Sequence, residues 1–116
     1  MKVIDEKAFS ETFQYFDKGI VLEIIDIFIQ EHPARIESIR SSIVNRDFTK
    51  LKFDAHSMKG VIANFFAAAP QNIAKELETK GTNKDDTNLE LLLDQLEAST
   101  LELVEDLKEM KIRFAE

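Results

Sequence analysis

His56, Lys59 and Gly60 lie within five residues of one another. Neutral imidazole is a nucleophile near physiological pH. A phosphorylated side chain carries close to two negative charges. An ammonium one helical turn away would stabilise that charge, both on the product and on the group in flight. The trio therefore suits phosphoryl transfer, provided that it lies on the outer side of a helix. A mid-helix glycine costs about 1 kcal/mol relative to alanine, so Gly60 asks for a compensating role.

A helical wheel meets the proviso. Leu51, Ala55, Met58, Ile62 and Phe65 recur at helical spacing around the trio. With His56 at zero degrees, this apolar stripe centres near 220 degrees, Gly60 lies at about 40, Ala63 at about −20 and Lys59 at about −60. The imidazole points away from the core, has almost no side chain beside it and is flanked by a cation. Gly60 would give a partner room to approach. Phe53, at about 60 degrees, is an apolar residue on this polar side. It is expected to join Ala63 in a partner-binding patch; packing against the first helix is the alternative.

The remaining elements are also helical. Phe9, Phe13 and Phe16 predict a short first helix over residues 5–16. Val21, Ile25, Phe28, Ile36, Ile39 and Ile43 predict a second helix over residues 20–45, kinked or loosened at Pro33. Asp47 is a candidate N-cap for the third helix. Pro70 suits the first turn of a fourth, with Ile73, Ala74 and Leu77 inward. Gly81 would end it as a C′ residue, with residues 81–87 as a loop. Leu89, Leu92, Leu93, Leu96, Leu103, Val104, Leu107, Met110 and Phe114 mark a fifth. Short connections favour an all-α fold: an antiparallel up-down-up-down four-helix bundle with a short additional N-terminal helix. A dimerising coiled coil at the C-terminus is the rival, and a monomer is expected.

At 116 residues the chain reads as one domain, residues 1–116. Cysteine is absent, which fits a reducing compartment. No apolar run approaches the roughly 20 residues of a membrane span, and Met1 to Asp5 is too short and polar for a signal peptide. A cytoplasmic location and no membrane partner are expected. The net charge of −7 argues against nucleic acid as a partner. Gly19, Gly60 and Gly81 stand too far apart for a phosphate-binding loop, so no nucleotide site, cofactor or metal is expected in this chain. Di-metal bundles use Glu-x-x-His pairs. Ile29 and Phe53 occupy the positions three before His32 and His56, so that reading fails. His32 shares the phase of the apolar stripe and reads as a packed residue.

The stretch Ala55-His56-Ser57-Met58-Lys59-Gly60 resembles the signature of the histidine-containing phosphotransfer family, His-x-apolar-Lys-Gly. Ala63-Asn64-Phe65, Ala67, Ala74 and Leu77-Glu78 match its downstream pattern. Phe28 to Pro33 looks like its Phe-apolar-x-Glu-x-Pro stretch, and Asp47-Phe48 is also similar. The likeness covers roughly residues 16–115. It implies that His56 accepts a phosphoryl group from a receiver-domain aspartate, or from a sensor or hybrid histidine kinase, and passes it to another receiver. Lys59 would neutralise the phosphoryl charge. Glu78 would hydrogen-bond the other ring nitrogen and orient the imidazole, with Lys75 as an added positive charge. Mg2+ would be needed only on the partner receiver. Two positions depart from the pattern: Phe66 stands where the family usually has Gly, and Pro70 where it usually has an apolar residue. Both put the turn between the third and fourth helices in doubt. Two rival readings remain: a helical adaptor without chemistry, and the phosphoacceptor module of a larger kinase.

Overall fold

A computed structural model describes residues 3–115, and every regular element among them is a helix: α1 (Glu6–Phe13), α2 (Lys18–Val44), α3 (Phe48–Ala63), α4 (Ala68–Asn83) and α5 (Leu89–Ala115). Aspartates start the first three. Asp5 accepts from the Ala8 N–H, Asp17 from the Gly19 and Ile20 N–H groups, and Asp47 from the Lys50 N–H. Each satisfies donors that a helix start leaves orphaned.

Cross-helix contacts fix how the long helices run. Between α2 and α3, Arg35 donates to Ser57 and Ser38 to Asp54, while Ser42 lies level with Lys50. Between α3 and α4, Lys59 meets Glu78, and the backbone at Lys52 meets Gly81. Between α2 and α5, Lys111 meets Asp26, His32 meets Thr100, and Arg40 meets Glu97. In each pair one number rises as the other falls, so the partners are antiparallel. The apolar stripes of all four helices meet in one core, to which α1 adds Phe9 and Phe13. The Asp106 carboxylate of α5 accepts from the Val3 and Ile4 N–H groups, and Arg113 pairs with Glu6. These contacts hold α1 on the bundle.

Several expectations need correction. The first helix stops at Phe13, and Phe16 is half exposed with its ring against Phe13 at 5.0 Å. Pro33 lies inside α2, as expected, and on its exposed side. There water can serve the carbonyl that the missing N–H leaves unpaired. α3 ends at Ala63, before Phe65, which is nevertheless buried and packs edge-on against Phe28 at 5.3 Å. Gly81 is not a C′ residue. α4 runs to Asn83, and the left-handed residue that ends it is Lys84, with φ 53°. Gly81 is a buried contact glycine: a Cβ there would stand 2.7 Å from the Lys52 nitrogen and 3.0 Å from the Phe48 oxygen. The inward placement expected of the Phe114 side chain lies outside the described residues.

The turn after α3 explains one departure from the family pattern. Phe66 has φ 57°, the left-handed conformation that glycine adopts at no steric cost. Phe66 holds it with its ring against the core and its carbonyl accepting from the Asp5 N–H at 2.8 Å. Pro70 is buried in the first turn of α4.

Candidate functional site

α3 turns its apolar stripe inward: Leu51, Ala55, Met58 and Ile62 are all essentially buried. That rotation leaves His56 on the outside with 69% of its side chain exposed. Gly60 is also exposed, and a Cβ added there would meet nothing within 4 Å. Ala63 and Phe53 lie on the same open face, with Phe53 73% exposed. Phe53 therefore does not pack on α1.

Glu78 reaches this face from α4. One carboxylate oxygen lies 2.5 Å from His56 Nδ1, and the other accepts from Lys59 Nζ at 2.6 Å. The Lys59 ammonium holds the Glu78 carboxyl below its usual value against the opposing effect of burial, and the imidazole adds a lesser lowering. An ionised carboxylate can only accept, so Nδ1 carries the proton. The lone pair is then on Nε2, the nitrogen on the far side of the ring, where a nucleophile facing solvent is needed. Because the α3–α4 contact at Gly81 lies one turn beyond Glu78, the glycine that lets the backbones touch also sets how far Glu78 must reach.

His56 shares an open groove of about 460 Å³ with Thr49, Lys52, Phe53 and Glu78. The sequence reading singled out neither Thr49 nor Lys52, although spacings of seven and four from His56 place both on its face. Nor did it foresee the Lys59–Glu78 ion pair, because each residue was assigned a separate task. Phe53 stands between this groove and a second one lined by Glu31, Ala34, Arg35, Ser38, Asp54 and Ser57. Lys75 is exposed on α4 and lines a separate groove with Asn72, Thr79 and Lys80. His32 is 6% exposed and lies 2.9 Å from the Thr100 hydroxyl, inside the bundle and not on the open face of α3. Among the described residues, no group of three or more His, Asp or Glu could hold a metal ion.

Comparison with known proteins bears on the fold and the family. A family model described as the Hpt domain matches residues 23–110. The chain is also similar to the crystal structure of histidine-containing phosphotransfer protein B (HptB) from Pseudomonas aeruginosa PAO1. The TM-score is 0.87 and the identity 21%, with 95% of each chain covered, so the two share a fold. None of the curated proteins matches. Hpt proteins work with receiver domains and histidine kinases. The match over residues 23–110 places the chain in the Hpt domain family, as a histidine phosphotransfer intermediate of a phosphorelay.

Proposed function

We propose that His56 is the phosphoacceptor and that Nε2 is the reacting atom. The observation that carries this is the Glu78 contact at Nδ1, which leaves the other nitrogen of an exposed ring free to attack. The Nε2 lone pair forms the N–P bond as the P–O bond to the receiver's aspartate breaks. The bonding electrons leave with the aspartate carboxylate, and the Nδ1 proton stays on its hydrogen bond to Glu78. Onward transfer to a second receiver reverses these steps. Glu78 is a positioning residue, which fixes tautomer and ring plane. Lys59 keeps Glu78 ionised, and only the part of its charge that this pairing leaves uncancelled bears on the phosphoryl group. Gly60 leaves clearance for the receiver, whose surface rests on Phe53 and Ala63.

The bundle that presents this site is, in our reading, a single antiparallel up-down-up-down domain with a short N-terminal helix. The helix directions support it. We read the chain as a cytoplasmic monomer without cofactor, metal or nucleotide site, its Mg2+ being held by the receiver. No helix among the described residues is long and apolar enough to cross a membrane.

The test is incubation with a receiver labelled at its aspartyl phosphate. Label should move to this chain and be acid-labile and alkali-stable. His56→Gln should take up none while keeping its helical content and melting temperature, since exposed substitutions usually move stability within about 0.5 kcal/mol. Label retained by His56→Gln would assign the chemistry elsewhere.

A further inference from the structure

We infer that Lys52 supplies the unpaired positive charge that meets the phosphoryl group at His56; this rests on His56 being the phosphoacceptor. The argument starts from the Lys59 ammonium. It is 2.6 Å from Glu78, and only about a quarter of its side chain is exposed. Glu78 itself is 17% exposed and lies between Lys59 and the imidazole. Together the two residues carry no net charge, and their fields largely cancel at a group bound to Nε2. Yet that group brings about two negative charges to the surface of a chain whose net charge is already −7.

Lys52 stands one turn before His56, four residues away on the same face, where side chains are neighbours. It lines the groove that holds His56 and Glu78. It is exposed, and among the described residues it makes no hydrogen bond or ion pair through its side chain. Its backbone is held in place by the contact with Gly81 across the α3–α4 seam. A fixed stem with a free ammonium can follow the phosphoryl group as the N–P bond forms and breaks. Lys50, by contrast, lies on the α2 side of the helix and is bound to Asp54 and Ser38. Lys59 and Lys52 thus bracket His56 from opposite turns of α3. In the resting state Lys59 serves the carboxylate, while Lys52 remains available to the phosphate.

The experiment uses phosphoramidate, a small donor that needs no protein partner, followed by a labelled receiver. Uptake and loss of the phosphoryl group are timed by phosphorus NMR for the wild type, Lys52→Gln, Lys52→Arg and Lys59→Gln. We expect Lys52→Gln to slow uptake from phosphoramidate about threefold to tenfold and to slow receiver transfer by a similar factor, with melting unchanged. Lys52→Arg should restore most of both rates. Wild-type rates in Lys52→Gln would overturn the role of Lys52 and leave His56 intact as acceptor. So would slowed rates that Lys52→Arg fails to restore. Absence of label at His56 in the wild type would instead overturn the phosphoacceptor itself, and Lys52 with it.

Discussion

Gly81→Ala should destabilise the domain, although alanine is the better helix former. Propensity alone would favour the substitution by about 1 kcal/mol. Against that stands the new Cβ, 2.7 Å from the Lys52 nitrogen and 3.0 Å from both the Lys52 Cα and the Phe48 oxygen. All three are backbone atoms, so no side chain can rotate away. Restoring ordinary contact requires α3 and α4 to separate by about 0.7 Å at a seam packed to interior density. Overpacking of this kind costs typically 1–3 kcal/mol. The net expectation is a loss of about 1 kcal/mol, within a range of about 0–2, or a drop in Tm of roughly 4 °C for a domain of this size. Lys84→Gly should act in the opposite sense, because it relieves a left-handed residue where α4 ends. Thermal and urea melts of the two variants decide. A Gly81→Ala protein more stable than the wild type would refute the close-contact reading. If Lys84→Gly also failed to stabilise, the account of how α4 ends would fall with it.

The other glycine gives the contrasting case. Gly60→Ala should gain up to about 1 kcal/mol in melts, since nothing lies within 4 Å of the added carbon. Gly60→Gln should keep the fold and slow receiver transfer; transfer at the wild-type rate would show that clearance is not its role. Lys59→Ala should lower the maximal transfer rate more than it raises the half-saturating receiver concentration, because its charge acts at the site and not at the rim of the interface. Kinetics over a range of receiver concentrations separate the two effects. His32 gives a pH signature. Burial lowers its pKa below the ordinary value of 6.5, partly offset by Glu97. The unfolded chain therefore binds the extra proton first. The associated stability is complete above about pH 6.5 and declines as pH falls through the lower folded value, by at most about 1.4 kcal/mol per pH unit. Urea melts between pH 7 and 5 should show the decline, and His32→Gln should flatten it. Asp54 and Glu78, whose pKa values are also lowered, contribute only in a more acidic window.

Periodicity made most of the core legible. The residues assigned inward on α2, α3 and α5 are buried, Phe114 lying outside the described side chains. The outward direction of His56 and Gly60 followed from the same arithmetic. What periodicity cannot encode is which residue of another helix lies opposite. A glycine near a helix end reads as a stop signal unless Lys52 and Phe48 are known to face it, and Gly81 was misread for that reason. Phe66 poses the same problem in another form. Its left-handed backbone is set by the Asp5 contact and by core packing, neither of which an aromatic residue announces. Glu78 was found only through family resemblance. Lys52 carries no mark in the sequence beyond its spacing, and its significance rests on Lys59 being paired.

The grip of Glu78 on Nδ1 also bears on regiochemistry. An imidazole can carry a phosphoryl group on either nitrogen, giving two isomers that differ in hydrolytic lifetime and in how a second protein must approach them. With Nδ1 turned toward α4, a donor arriving from solvent is offered only the tele nitrogen. On the proposed role of His56, the bundle commits itself to one isomer before any partner arrives. It does so with a residue on a neighbouring helix, twenty-two positions away in the chain.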